Sequence, residues 1–337
     1  MSDSLSAHHD PGPEAAAERT TAVTDAPPDG IALRRGHRIR VGTAGWTDPT
    51  LLPAGFFYPT GTESAEDRLR YYASRFPLVE IDSSYYGLPV RRNAELWATR
   101  TPPGFTFDIK AYALMTGHPT EVARLPRAIR ETLPESVTEK KRVYPRDLPR
   151  EAYDQVWAVF RDAIDPLVRS GKLGSVLLQY PQWFIPSAAA RDAILESRDR
   201  LDGVPCTIEF RNRRWFDPPV ADRTLAFLRQ HSMPYVIVDE PQGLPNSVPP
   251  LAAVTAPALA VVRLHGRRDD MWGRRGATVA DKYRYLYDRD ELASWVPRVM
   301  EVAEQAAETH VVFNNCYANY GTTNALEFSA MLAGAAA

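Results

Sequence analysis

Residues 261–270 read VVRLHGRRDD, a short apolar run in which an arginine and a histidine alternate with valine and leucine. In a β-strand, successive side chains point to opposite faces. Val262 and Leu264 therefore share one face, and Arg263 and His265 share the other. A strand that only filled a core would have no use for the two polar residues. The stretch predicts a strand with one apolar and one polar face.

Similar short β-branched runs recur along the chain, and helical patterns separate most of them. The other runs are residues 40–46, 78–86, 105–110, 174–181, 205–212, 234–240 and 310–317. Eight strands alternating with helices predict a parallel eight-stranded barrel of the TIM type. The connection 241–257 is too rich in proline for a good helix. A doubly wound open sheet is the alternative, but its glycine fingerprint does not follow the first strand.

Composition limits both the boundaries of the domain and its partners. Residues 1–37 carry hardly any large apolar side chain, so we expect a disordered tail before a single domain at 38–337. The net charge of −2 gives no support for bulk binding of nucleic acid or acidic membrane. No apolar run approaches the roughly 18 residues of a membrane span. Two cysteines and no secretory pattern favour a cytoplasmic protein.

The polar faces of the strands must point into the barrel, because the opposite faces are apolar and meet the helices. We expect an isolated buried charge to be costly, so these groups must pair or lie near water. Internal salt bridges would explain the deeper members, Glu80, Asp108 and Arg263. Residues at the carboxyl ends of the strands lie where barrel enzymes place their active sites.

Several ordered motifs resemble the domain of unknown function 72 family, also called YecE-like. They are VGTAGW, YYASRFPLVEIDSSYY, TPPGFTFDIK, LLQYP, IEFRNRRWF, RLHGR and FNNCYANYGTTNA, and they span about Val41 to Leu332. The resemblance implies a TIM-type barrel and no particular reaction. Two positions depart from the family pattern: Asp82 replaces a common asparagine, and Asn212 replaces a frequent histidine.

The mixed charges at the strand ends predict an enzyme that uses acid–base chemistry on a polar, anionic small molecule. It would be a hydrolase, lyase or isomerase that needs no redox cofactor. The candidate catalytic residues are Glu209, His265, Asp82 and Lys110. The candidate binding residues are Trp46, Tyr85, Tyr86, Gln179, Arg211, Asp239, Arg263, Asn314 and Asn315. No metal is expected, although Asp82, Glu209 and Asp239 could hold a single Mg²⁺ or Mn²⁺.

Two alternatives to a small-molecule enzyme remain open. Arg267, Arg268, Arg274 and Arg275 flank Trp272, and such a loop could grip phosphates in a nucleic-acid-binding or phosphodiesterase-like protein. Asp269 and Asp270 lie among these arginines and predict weak binding at most. The other alternative is a non-catalytic barrel whose inner charges are only structural. The sequence does not indicate an oligomeric state.

Overall fold

The computed structural model describes residues 10–20, 23, 25–53, 55–272, 274, 276 and 278–337. Within them, eight parallel strands form one sheet that curls into a nearly closed barrel. The strands are β1 (Arg38–Ala44), β2 (Leu78–Ile81), β3 (Thr106–Lys110), β4 (Leu173–Gln179), β5 (Cys206–Glu209), β6 (Val236–Asp239), β7 (Leu259–Leu264) and β8 (Glu308–Phe313). The predicted TIM-type barrel is confirmed.

The strands are hydrogen-bonded in the order β5-β4-β3-β2-β1-β8-β7-β6. The first and last strands pair along six residues, from Arg38 beside Glu308 to Thr43 beside Phe313. The ends of this order, β5 and β6, meet at an isolated parallel bridge between Ile208 and Tyr235. The barrel therefore has one thin seam.

Helices cover the outside of the sheet because each carries an apolar stripe at helical spacing. The longer ones are α1 (Gly12–Thr20), α2 (Ala65–Arg75), α3 (Arg91–Thr99), α4 (Arg150–Arg169), α5 (Ala188–Arg200), α6 (Val220–Gln230), α7 (Arg289–Gln305) and α8 (Tyr320–Ala336). In α2, Leu69, Tyr72 and Ala73 are buried as the spacing predicts. The described chain between β6 and β7 contains no helix, which agrees with its proline content.

The long connection after β3 has structure of its own. Thr120–Glu121 and Arg142–Val143 form a small antiparallel pair, and two short helices, Arg127–Arg130 and Glu135–Thr138, lie between them. A further short helix, Val279–Tyr283, follows β7. No helix among the described residues is long and apolar enough to cross a membrane.

Part of the segment expected to be a disordered tail is ordered. Helix α1 packs on α8, where Ala16 is fully buried and its carbonyl accepts a hydrogen bond from Thr323. Ile31–Ala32 pairs antiparallel with the start of β1. The low apolar content is compensated by polar contacts such as the Arg19–Glu327 ion pair. Residues 1–9, 21, 22 and 24 lie outside the described chain, so the expectation is not addressed for them.

Candidate active site at the barrel mouth

Strand register determines which side chains enter the barrel, because neighbouring residues in a parallel ladder point to the same side. Glu80 lies beside Asp108, Gln179 beside Glu209, and Arg263 beside Val312. These side chains, together with Lys110, His265 and Asn314, project inward. The prediction of a polar interior is therefore confirmed for five strands, which are β2, β3, β4, β5 and β7.

Asp239 is an exception to the expected inward arrangement. It pairs in register with Leu264, whose side chain points outward to the helices. Both of its carboxylate oxygens accept hydrogen bonds from Arg267, at 2.9 and 3.0 Å, and Tyr287 donates a further one at 2.6 Å. Glu240, one residue later, takes the inward position and lies 3.4 Å from Arg211. The expected placement of Asp239 was wrong by one residue.

Arg263 is the centre of the interior. Its guanidinium has no exposed surface and lies between two carboxylates, 2.6 Å from Glu80 and 2.5 Å from Glu209. Deeper in the barrel, Asp108 accepts hydrogen bonds from Ser175 and is paired with His310 at 2.8 Å. The deep charges are thus paired, as the structural reading of the sequence expected.

The pKa values of the two carboxylates that contact Arg263 are shifted in opposite directions. Burial raises the pKa of Glu80 to about 7, although Arg263 acts against this shift. Burial also acts to raise the pKa of Glu209, but Arg263, His265 and Arg211 together outweigh it and hold the pKa well below its usual value. Gln179 at 2.6 Å and Arg211 at 3.1 Å donate to the same Glu209 oxygen. Glu209 is therefore ionised and fully hydrogen-bonded.

His265 is completely buried above Glu209 and has a defined tautomer. Burial, reinforced by Arg211, lowers its pKa to about 3, so the imidazole is neutral. Arg211 can only donate, and its contact with Nε2 at 2.9 Å makes that nitrogen the acceptor. Nδ1 then carries the proton. The Asn314 amide atom 2.8 Å from Nδ1 must accordingly be its oxygen.

Lys110 and Asp82 form the more accessible part of the interior. Their charged atoms lie 3.1 Å apart, and the side chains are 12% and 30% exposed. Burial acts to lower the pKa of Lys110, but Asp82, with smaller contributions from Tyr283 and Glu80, reverses this and the pKa is raised. The contact is made by Asp82 Oδ1, a buried oxygen that accepts no hydrogen bond besides this ion pair. The pair therefore presents an ammonium and a carboxylate with unused hydrogen-bonding capacity.

Aromatic side chains surround this pair. The Lys110 ammonium lies 4.5 Å from the ring centre of Tyr85, which contacts Tyr86 edge to face. Trp46 is almost fully buried against Trp97 and Phe107, where its indole packs and also lines a cavity. Asn315 is buried too, and its amide donates to the Tyr285 carbonyl and to Asn324. Asn315 thus holds the loop after β7.

Two mouth residues were not among the residues proposed from sequence to contact a small molecule. Tyr283 lies 6.2 Å from His265 and 5.9 Å from Trp272, between ring centres. The Trp272 ring lies 5.1 Å from the Arg211 guanidinium carbon. Both aromatics come from the long connection after β7: Trp272 lies outside any strand or helix, and Tyr283 ends the short helix Val279–Tyr283. They cover the buried Arg211–His265 pair from above.

Two cavities open at the carboxyl ends of the strands. One, of about 570 Å³, lies by the loops after β1 and β2 and is lined by Trp46, Asp82, Asn93 and Tyr86. The second, of about 400 Å³, is lined by Tyr85, Tyr86, His118 and Trp183. Tyr86 forms part of the wall of both. The Asp82–Lys110 pair therefore lies next to space that a small molecule can fill.

The residues considered as metal ligands already form ion pairs with basic side chains. Asp82, Glu209 and Asp239, considered as ligands of one divalent cation, each pair with a different basic side chain. No cluster of three or more His, Cys, Asp or Glu suited to a metal occurs in the described part of the chain.

The arginines after β7 are also engaged by acids. Arg267 binds Asp239 and Glu291, and both guanidinium ends of Arg268 contact Asp270. Arg274 is exposed, and Arg275 lies outside the described residues.

Comparison with known proteins agrees with this architecture. Residues 40–337 match the model of the family described as "Protein of unknown function DUF72". The UPF0759 protein YunF of Bacillus subtilis (strain 168) is 31% identical over 282 residues, which cover 82% of this chain and 88% of YunF.

Solved structures of DUF72 proteins have the same fold. One, the protein EF0366 of Enterococcus faecalis V583, superposes with a TM-score of 0.69 at 27% identity, covering 87% of this chain and 95% of that one. Another, TM1631 of Thermotoga maritima MSB8, gives a TM-score of 0.68 at 28% identity, covering 88% and 99%. The chain therefore belongs to the DUF72 family and shares the barrel of these solved DUF72 structures.

Proposed function

We propose that this protein is an enzyme that binds a polar, anionic small molecule at the barrel mouth and acts on it by acid–base chemistry. The observation that carries the proposal is the Asp82–Lys110 pair. It joins a buried ammonium to a carboxylate that lines a cavity, and the carboxylate oxygen Oδ1 accepts no hydrogen bond besides this ion pair. Barrel enzymes place their reacting groups at this end.

Lys110 and Asp82 would have different roles in this chemistry. Lys110 is held protonated by Asp82, so it binds an anionic group or stabilises negative charge that develops on the substrate. Asp82 is the reachable carboxylate and would take a proton from the substrate. Proton abstraction and return at one carbon needs no redox cofactor, and an isomerase or lyase would use such chemistry.

Glu209 and His265 support this site from below in the proposal. Neither side chain has any exposed surface, and both are held in hydrogen bonds with Arg211. Their contribution would be to orient Arg211, whose ion pairs with Glu209 and Glu240 keep it charged. We therefore treat Glu209 and His265 as positioning residues rather than as the groups that exchange protons.

The test is a thermal-shift screen with phosphorylated and carboxylated metabolites, followed by calorimetry and NMR detection of turnover. Lys110→Met should weaken binding of any hit by about 10- to 100-fold, since a buried charged contact is lost. Asp82→Asn should retain binding and lose turnover. Lys141→Met is the control, because Lys141 is an exposed lysine outside the mouth.

Equal binding by the wild type and Lys110→Met would rule out Lys110 as the anchor. If the wild type binds a compound but does not convert it, the protein is a binding protein and the proposed enzymatic activity is refuted.

The nucleic-acid alternative has no comparable support. Arg267 and Arg268 already form close ion pairs with acidic side chains, so phosphates would have to displace carboxylates to reach them.

A further inference from the structure

Four aromatic rings form a continuous row along the cavity of about 400 Å³. Tyr86 contacts Tyr85 at 5.1 Å, Tyr85 contacts His118 at 5.2 Å, and His118 contacts Trp183 at 5.7 Å, all between ring centres and edge to face. The rings come from the loops after β2, β3 and β4. Three separate connections thus build one surface.

Both ends of the row are open to solvent. Trp183 is 60% exposed and Tyr86 is 44% exposed, although both line the cavity. An exposed indole at the rim of a concave site is available to stack on a ligand, whereas most tryptophans of this chain lie in the core. The exposed part of the Trp183 side chain does not contribute to packing, so packing does not explain its position.

The polar groups around the cavity favour a flat ring over a sugar. Burial, together with Lys110, lowers the pKa of His118 to about 4, so its imidazole is neutral, and Nδ1 already contacts the Thr116 hydroxyl at 3.0 Å. The other charged residues are Arg124, Arg142 and Glu121, which pair with one another at 3.4 and 3.9 Å. Few groups remain to satisfy the many hydroxyls of a sugar, whereas a heteroaromatic ring can be held by stacking on an aromatic face.

The row contacts the proposed anion site at Tyr85, between Tyr86 and His118, because the Lys110 ammonium lies 4.5 Å from the centre of the Tyr85 ring. We propose that the mouth takes a mononucleotide-like ligand, with a heteroaromatic base stacked at Trp183 and an anionic group directed toward Lys110. This inference rests on the proposed function, since it uses the same anion site and adds a ring-binding subsite to it.

The test compares adenosine 5′-monophosphate with ribose 5-phosphate, which carries the same anion and sugar without the base. Calorimetry on the full chain should show about 10-fold or tighter binding of the nucleotide, in line with the contribution of one base–aromatic stack. Trp183→Ala should bring nucleotide affinity down to that of ribose 5-phosphate, and Trp183→Phe should restore most of it. Ile185→Ala is the control, because Ile185 is exposed nearby and does not line the cavity.

The outcomes separate the two proposals. If both compounds bind through Lys110 and Trp183→Ala changes neither affinity, the anion site stands and the ring subsite is refuted. If adenosine binds as tightly as its monophosphate and Lys110→Met has no effect, the subsite stands without the anion, and the proposed function fails. Absence of binding by all three compounds would refute the mononucleotide-like ligand.

Discussion

Glu80 and Glu209 contact the same guanidinium and yet hold their protons differently. The pKa of Glu80 is raised to about 7 by burial, whereas that of Glu209 is held well below its usual value, because Arg263, His265 and Arg211 together outweigh burial. Gln179 and Arg211 donate to Glu209 in addition, which favours its charged form. One arginine therefore faces one permanently ionised acid and one acid that titrates near neutral pH.

This asymmetry gives a pH-dependent prediction for Glu80→Gln. The pKa of Glu80 is higher in the folded chain than in the unfolded one, so its stabilising contribution is complete below about pH 4.5 and is lost as the pH rises toward 7. Glutamine mimics the protonated acid and does not titrate. The substitution should therefore cost about 1 to 3 kcal/mol less free energy of unfolding at pH 8 than at pH 5.

Urea unfolding of the wild type and the variant at the two pH values measures this difference. His265, whose pKa is lowered to about 3, loses its stabilising contribution as the pH falls below 6.5, but it is present in both proteins and cancels. Glu301→Gln on the exposed side of α7 is the control and should show no such pH difference. An equal cost of Glu80→Gln at both pH values would mean that Glu80 is ionised throughout.

Among the helices, α1 is the one that the amino-acid composition did not predict. Arg19 donates to both oxygens of Glu327 in α8, at 2.9 and 2.5 Å, and to the carbonyl of Tyr287 at 2.8 Å. Tyr287 in turn binds Asp239 at the end of β6. The helix is thus attached to the loop that covers the mouth through one arginine.

We predict that Arg19→Ala lowers the free energy of unfolding by about 1 to 3 kcal/mol, because the buried Glu327 loses its charged partner. Glu18→Ala, one position earlier on the exposed side of α1, should change stability by no more than about 0.5 kcal/mol. Chemical denaturation of the wild type and the two variants measures these differences in the free energy of unfolding. Indistinguishable values for Arg19→Ala and Glu18→Ala would show that α1 is not bound as described.

The elements were more predictable from sequence than the contacts between them. Alternation along a strand located all eight strands and the inward faces of most, because it depends only on local geometry. It failed at Asp239, where a shift of one residue in the strand end exchanges the inward and outward sides. Trp272 and Tyr283 cover Arg211 from the connection after β7. Trp272 lies outside any strand or helix and Tyr283 ends a short helix, so no local sequence pattern could predict this contact.

For the whole molecule, the seam between β5 and β6 determines how well the barrel is closed. The Ile208 amide donates to the Pro234 carbonyl at 2.9 Å, but the Tyr235 amide donates instead to the Thr255 hydroxyl at 2.7 Å. The same hydroxyl donates to the Met233 carbonyl at 2.7 Å. A side chain from the helix-free connection thus replaces part of a strand ladder.

Thr255→Val keeps the shape of this side chain and removes both hydrogen bonds. It should lower the free energy of unfolding by about 1 to 3 kcal/mol, because a buried amide is left without an acceptor. Hydrogen exchange of the Tyr235 and Ile208 amides should accelerate most. Thr99→Val, at the exposed end of α3, is the comparison and should leave these amides unchanged. Unaltered exchange at the seam would show that Thr255 does not hold it.

The pairing of β1 with β8 along six residues has a consequence for synthesis on the ribosome. The strand made first among the eight has its longest partner in the strand made last. Until Glu308–Phe313 emerges, one edge of β1 exposes unpaired backbone groups, and such edges recruit other chains. Folding of this barrel is therefore completed after nearly all of the chain has been translated, and we expect the nascent chain to depend on chaperones during that interval.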